Sequence, residues 1–317
     1  MKSFRIVFMG TPEFAVPSLA ALHRSRHEVK LVVTQPDRPS GRGRQLKAPP
    51  VKQAAQRLGY EIIQPEKVRT DAFVQTVSGY HPDFQVVVAY GHILTRRILD
   101  IPARGSINVH ASLLPKYRGA APIHWAVING ESETGITTMF MDEGMDTGDI
   151  LLSAREPIRG EDDTGSLHDR LAELGAGLLI ETLDGLADGT VRPAPQYHAK
   201  ATYAPLFKKD AGIIPWEKSA GQVVDWIRGM TPWPGAFTYL DDQRLKIFKA
   251  TTTAGPTTAP PGTVVEGFSE ELRVATGSGA ILIEEIQGAS GKRMHIKDFL
   301  RGHPIPPGSR FQSEPSM

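Results

Sequence analysis

Asn108 and His110 stand two residues apart in "GSINVHASLLP", Gly105 to Pro115. The β-branched run around them reads as a strand, and side chains at i and i+2 share one strand face. The amide and the imidazole therefore point one way, Ile107 and Val109 the other. In an open parallel sheet, ligands bind beyond the carboxyl ends of the strands, where these two groups lie. An amide N–H beside an imidazole suits proton transfer and the holding of charge on an oxygen. The plainer alternative is a strand end whose polar groups only satisfy loop backbone.

Two neighbouring stretches add to this pair. "MDEGMDTGDIL" follows the next strand and sets Asp142, Glu143, Asp146 and Asp149 in a loop punctuated by glycine. A carboxylate beside an imidazole raises its basicity and orients it. A solvated acidic turn is the other reading. "SLLP", Ser112, Leu113, Leu114 and Pro115, places adjacent leucines in a loop. They either line a pocket for a flat apolar ligand or pack the loop onto the core.

Absent motifs narrow the chemistry. The first strand-to-helix turn, "GTPEF", lacks G-x-G-x-x-G, and the chain has no G-x-x-x-x-G-K-[ST], G-x-S-x-G or H-E-x-x-H. The histidines show no metal spacing and there is no cysteine, so neither a metal nor a nucleotide cofactor is expected. An Asn, His and Asp set without metal or nucleophile suits acyl transfer.

The elements that must position these residues follow from periodicity. From residue 3 to about 190, apolar runs such as "FRIVFMG", "VKLVVTQ", "FQVVVAYG" and "TGITTMFM" alternate with helical stretches such as "PVKQAAQRLG". This is the pattern of βαβ units and predicts an α/β domain with a mostly parallel sheet over 1–190. A long helix begins at the N-cap candidate Thr164. A proline-containing stretch, 191–209, reads as a linker crossing a surface. From 210 to 317 a short amphipathic helix and several short strands predict a small β-barrel or sandwich.

Net charge is +1, so any nucleic-acid contact must come from a local patch. The clearest is "DRPSGRGRQLKAPPVK", where Arg38, Arg42, Arg44, Lys47 and Lys52 face one acid. Its glycines and prolines predict an exposed loop that either positions phosphates or is a solvated charge run. Arg244, Lys246, Lys249, Lys292, Arg293 and Lys297 form a basic face of the second domain or are scattered. Trp233, in "TPWPGAF", reads as a structural anchor ahead of a stacking platform. The N-terminal apolar run is too short to span a membrane, and the lack of cysteine fits a reducing cytoplasm.

"FMGTPEFAVPSL", "TQPDRPSGRGR", "VVVAYGHIL", "INVHASLLPKYRGAAPIHWAVINGESETGITTMFMDEGMDTGDIL" and "TPWPGAF" cover nearly the whole chain in order. Together they resemble the 10-formyltetrahydrofolate-dependent formyltransferase family, in its methionyl-tRNA formyltransferase branch. Ala111 stands where the family often has Gly or Pro. The resemblance implies a Rossmann-like formyltransferase domain followed by an OB-like barrel that binds tRNA. It implies a monomer that transfers the formyl group of 10-formyltetrahydrofolate to the α-amino group of methionine on initiator tRNA. By motif, Asn108, His110 and Asp146 are its catalytic set, with Asp146 either orienting the imidazole or relaying the amine proton through a water. Ser112, Leu113, Leu114 and Pro115 would lie along the folate. The stretches holding Tyr90, Ile93 and Leu94, and Asp142 and Glu143, would hold the pterin. Arg38, Arg42, Arg44 and Lys47 would sit on the loop that enters the tRNA acceptor stem, Arg42 at its tip.

Two other readings remain. The same catalytic domain could formylate a small amine or sugar nucleotide, or hydrolyse the formyl folate; the basic loop and the second domain speak against this. A non-catalytic RNA-binding protein on the same scaffold is opposed by the intact Asn108, His110 and Asp146.

Overall fold

The structure, a computed structural model, describes residues 2–40, 45–253, 255, 257–265, 270–289 and 291–315. The chain forms two units. The first comprises 1–122, 133–157 and 168–204, the second 123–132, 158–167 and 205–317.

The strands of the first unit are β1 (Arg5–Gly10), β2 (Glu28–Val33), β3 (Arg38–Ser40), β4 (Gln45–Lys47), β5 (Ile62–Ile63), β6 (Phe84–Val88), β7 (Ser106–His110), β8 (Glu133–Phe140) and β9 (Ile150–Pro157). Its main sheet has the order β5-β2-β1-β6-β7-β8-β9. From β5 to β7 the pairing is parallel, while β8 and β9 run antiparallel. The expected mostly parallel sheet is present, with an antiparallel flank where β8 returns through the 141–149 loop to β9. A short connection can join antiparallel neighbours but not parallel ones.

Burial explains which strands were legible. Every residue of β6 is buried, which gives an unbroken apolar-rich run, as in a strand covered on both faces. β9, "ILLSAREP", alternates in exposure as an edge strand does and carries no such run. The helices are α1 (Val16–Arg24), α2 (Pro50–Arg57), α3 (Asp71–Ser78), α4 (Arg96–Leu99) and α6 (Thr164–Asp188), while α5 (Pro122–Ile128) falls almost wholly in the second unit. Phe73 and Val77 of α3 bury against Val7, Leu31 and Tyr90 on one side of the sheet. Each such side chain contributes about 1.5–3 kcal/mol by leaving water.

α6 approaches the sheet behind β7. A Cβ added at Gly175 would meet the Val109 side chain at 3.0 Å and Ile136 at 3.6 Å. Val109 thus faces α6, and the alternation of the strand turns Asn108 and His110 to the opposite face. In register, Asn108 pairs with Met139 and His110 with Thr137 of β8. The basic segment read as a loop is partly a hairpin, because β3 and β4 pair antiparallel around its glycines. Arg42 and Arg44 lie outside the described residues.

Residues 194–204 run as a strap along the first unit. Ile150 and Ala194 exchange backbone hydrogen bonds of 2.8 and 2.9 Å. Further along, Arg118 N–H donates to Thr202 O at 2.8 Å and Ala204 N–H to Arg118 O at 2.7 Å.

The second unit contains α7 (Ala220–Met230), β10 (Ala236–Leu240), β11 (Gln243–Thr253), β12 (Val264–Val265), β13 (Leu272–Ala275), β14 (Ala280–Gln287), β15 (Met294–His295), α8 (Ile296–Gly302) and β16 (Phe311–Gln312). Ser219 and Gln222 form a capping box at the start of α7, satisfying two end N–H groups. The antiparallel path β12-β13-β14-β11-β10-β16 curls until its ends meet. Val264 N–H donates to Ser309 O, and Phe311 N–H to Gly262 O, each at 2.8 Å. This leaves the barrel nearly without free edges, and Ile247, Ile281, Ile283, Val274 and Leu272 fill it. Among the described residues no helix is long and apolar enough to cross a membrane.

Candidate active site

β7 delivers Asn108 and His110 to the sheet rim, and the loop between β8 and β9 delivers Asp146 to meet them. Asn108 Nδ2 lies 3.4 Å from Asp146 Oδ1, a long and weak hydrogen bond. His110 Nδ1 lies 3.6 Å from Asp146 Oδ2. His110 is 5% exposed. Its Nε2 is 3.0 Å from Tyr117 O. A carbonyl can only accept, so Nε2 carries a proton, and Nδ1 is the nitrogen that faces the carboxylate.

The carboxylate is held independently of both. Gly119 N–H donates to Asp146 Oδ2 at 2.7 Å, a charge-assisted bond. Gly119 has φ +120°, and a Cβ there would come within 2.8 Å of Ala204 O. Only glycine presents this N–H without strain. Asp146 itself has φ +53°. That conformation is uncommon outside glycine, although aspartate tolerates it better than most.

The "SLLP" turn is fixed below the site through Thr137 of β8. Thr137 Oγ1 donates to Ser112 O at 2.7 Å. It also accepts Leu114 N–H at 3.2 Å. Ser112 is buried, and its hydroxyl donates to Lys116 O at 2.6 Å. Leu113 is half-buried, and its methyl would lie 2.6 Å from a Cβ at Gly135. Leu114 is buried and Pro115 half-buried.

The other expected contacts separate by environment. Tyr90 and Leu94 are core residues, and burial pushes the Tyr90 phenol well above its ordinary range. The Tyr90 carbonyl accepts from Thr11 Oγ1 at 2.9 Å and Gln35 Nε2 at 3.0 Å. Ile93 is 76% exposed. Asp142 is exposed and caps its own turn, Oδ1 accepting Gly144 N–H at 3.0 Å and Thr147 Oγ1 at 2.5 Å. Glu143 is exposed. Arg38 and Lys47 are exposed on the hairpin, with Arg38 Nη2 donating to Gln35 Oε1 at 2.9 Å.

A cleft of about 460 Å³ opens beside the 91–93 backbone, walled also by Lys67 and Arg69. His92 Nε2 is buried there without a hydrogen-bond partner among the described residues. Glu66 and Val68 complete its lining.

In the second unit the six candidate cations divide. Lys249 pairs with Glu284 at 2.9 Å, Lys297 with Glu270 at 2.6 Å, and Arg293 with Glu285. Among the described residues, Arg244, Lys246 and Lys292 have no carboxylate partner, and Arg244 lies over the Phe237 ring at 3.6 Å. Trp233 is 47% exposed, with its carbonyl accepting from His124 Nε2 at 3.1 Å.

Four residues of the site escaped sequence reasoning: the Tyr117 carbonyl, Gly119, Arg118 and Gln196. "KYRGAAP" held a signal for the first three, a glycine next to a buried cation. Gln196 lies in a stretch without period and carried none.

The family described as Formyl transferase matches residues 4–183, and the family's C-terminal domain matches 207–304. A methionyl-tRNA formyltransferase of Citrifermentans bemidjiense is 50% identical over 308 residues, 97% of this chain and 96% of that one. Another, of Geotalea uraniireducens, is 51% identical over 309 residues, 98% of each chain. Among solved structures, the sugar 3N-formyl transferase WlaRD superposes with TM-score 0.66 at 17% identity, over 92% of this chain and all of that one. HypX from Aquifex aeolicus, in complex with tetrahydrofolic acid, gives TM-score 0.61 at 18% identity, over 94% of this chain and 47% of that one. At such low identity these two structures speak to the fold alone.

Proposed function

We propose, on the premise that this chain belongs to the formyl transferase family and to its methionyl-tRNA formyltransferase branch, that it formylates the methionine of initiator tRNA. The formyl group comes from 10-formyltetrahydrofolate, and the product is N-formylmethionyl-tRNA. The observation that carries this reading is the meeting of Asn108, His110 and Asp146 at one rim of the sheet.

The neutral α-amine attacks the formyl carbon, and the formyl oxygen gains negative charge. Asn108 Nδ2, held among the described residues by a long bond to Asp146 alone, can turn its N–H toward that oxygen. His110, anchored through Nε2 to a fixed carbonyl, presents Nδ1 between the same oxygen and the carboxylate, and donates from it when both ring nitrogens carry protons. Preorganised donors of this kind commonly supply about 100- to 1000-fold in rate each. Asp146 keeps the imidazole in place and relays the proton lost by the amine. The bond from the formyl carbon to the folate nitrogen then breaks, and that nitrogen takes a proton as it leaves.

Ser112 to Pro115 and the 90–94 and 141–144 backbones line the folate, with Lys67 and Arg69 meeting its carboxylates. The hairpin cations Arg38, Arg42, Arg44 and Lys47 position the acceptor-stem phosphates. The barrel adds tRNA contact through its unpaired cations. The protein acts as a monomer in the cytoplasm and needs no metal. Supplying labelled 10-formyltetrahydrofolate with charged initiator tRNA, and separately with small amines and amino-sugar nucleotides, tests the assignment. Label should appear on the tRNA alone; label on a small amine or on none of them overturns it.

A further inference from the structure

The carboxylate Asp146 depends on a residue that none of the catalytic motifs contains. Gln196 is 5% exposed and sits on the strap that crosses the first unit. Its Nε2 donates to the backbone carbonyls of both Asp146 and Gly148, each at 2.8 Å. Its Oε1 accepts from Arg118 at two atoms, Nη2 at 2.6 Å and Nε at 3.2 Å. Arg118 is 2% exposed. Its Nη2 also lies 2.9 Å from His198 Nδ1.

Arg118 is flanked by the two backbone groups that hold the catalytic pair. The Tyr117 carbonyl accepts from His110 Nε2, and the Gly119 N–H donates to Asp146 Oδ2. A chain of bonds thus runs from His110 through Tyr117, Arg118 and Gln196 to Asp146, whose Oδ2 comes back to within 3.6 Å of His110 Nδ1. Burying a guanidinium is costly unless a charge or a full set of acceptors compensates it. Among the described residues Arg118 has no carboxylate partner; its fork rests on an amide oxygen and an imidazole. A cation on the oxygen side of an amide polarises it and strengthens the N–H donors on the other side. Those donors end on the loop in which Asp146 itself is held at positive φ.

We infer that Gln196 is the positioning residue that fixes Asp146 against His110, with the buried Arg118 as its anchor. This rests on the formyl-transfer reading of the site. It extends that reading to a strap remote in sequence, which the catalytic loop needs in order to hold its geometry. A displacement of about 1 Å at a reacting group can cost about 100-fold in rate, and the two Gln196 hydrogen bonds fix the backbone on which Asp146 stands.

Gln196→Glu separates positioning from simple support of the fold. The new carboxylate still accepts the Arg118 fork, so the buried cation stays compensated, but its second oxygen repels the Asp146 and Gly148 carbonyls. Expected is a loss of about 10- to 100-fold in kcat, with KM for folate and tRNA changed less than threefold and the melting temperature kept within a few degrees. Gln196→Met combined with Arg118→Met removes the donors and leaves no buried cation without its acceptor, and gives the same answer should the glutamate variant not fold. The decisive comparison is a cycle with Asp146→Ala. If Gln196 acts through Asp146, its replacement costs less than twofold once that carboxylate is gone. A kcat within twofold of wild type in the foldable Gln196 variant, or full additivity in the cycle, overturns the inference. Lack of formyl transfer by the wild-type protein would instead overturn the functional reading beneath it.

Discussion

Two loops of the first unit spend their polar groups in opposite ways. At the 108–119–146 corner, nearly every polar atom is bonded to another group of the site, and His110, Arg118 and Gln196 are buried. At the basic hairpin, the polar groups fasten only the stem. Lys52 Nζ reaches Asp37 at 2.7 Å, and Gln64 Nε2 donates to Asp37 Oδ1 at 2.7 Å and to Gln35 O at 2.8 Å. The Gln64 hydrogen bond, with the Lys52 ammonium, holds the Asp37 carboxyl below the usual carboxylate range. Beyond the stem, Lys47 stays in solvent and Leu46 is 71% exposed. Chemistry on one carbonyl needs groups that do not move; capture of a large anion needs cations that can reach. The corner should therefore govern turnover and the hairpin should govern affinity.

The largest break in that contrast comes at the corner. Asn108→Ala or His110→Ala should lower kcat by about 100- to 1000-fold while folate binding, measured by titration calorimetry, stays within a few-fold. Next is Gly119→Ala. Its Cβ would crowd Ala204 O at 2.8 Å in a backbone region that alanine avoids. About 1–3 kcal/mol of stability should be lost, seen as a melting temperature lower by roughly 3–10 °C, together with a fall in kcat.

At the hairpin the expected effects are smaller and of another kind. Arg38→Ala and Lys47→Ala should each raise KM for tRNA several-fold and leave kcat unchanged. Each should also reduce the salt dependence of log affinity by about one unit of slope. An equal fall in kcat would erase the division between the two loops.

The smallest effect lies away from both and serves as a control. His27 is buried and stacked on Phe4, and burial lowers its pKa below the ordinary imidazole value, outweighing the Asp184 carboxylate. The unfolded chain then takes up a proton near pH 6.5 before the folded one does. Stability is complete above that pH and falls as the pH drops from it toward the lowered folded value. Thermal melts at pH 7.5 and 6 should show this decline, and His27→Asn should lessen it without touching turnover.

What could be read before any coordinates followed from local periodicity. The period of a strand places Asn108 and His110 on one face, and a fully buried strand such as β6 announces itself by composition. β9 has one exposed face and no apolar run, so nothing marked it as the partner of β8. The four acids of "MDEGMDTGDIL" are indistinguishable by spacing. Only the folded loop turns Asp146 inward to the Gly119 N–H while Asp142 caps its own turn. Gln196 is fifty residues from the loop it holds, and a contact formed by a non-periodic strap leaves no local trace.

The central claim is that an amide and an imidazole, steadied by one carboxylate, converge on the formyl oxygen. A crystal structure of the protein with a non-transferring analogue of 10-formyltetrahydrofolate measures this directly. The account predicts the formyl oxygen within about 3.2 Å of both Asn108 Nδ2 and His110 Nδ1, with Asp146 still bonded to the Gly119 N–H. A formyl oxygen turned away and more than about 5 Å from both nitrogens would contradict it.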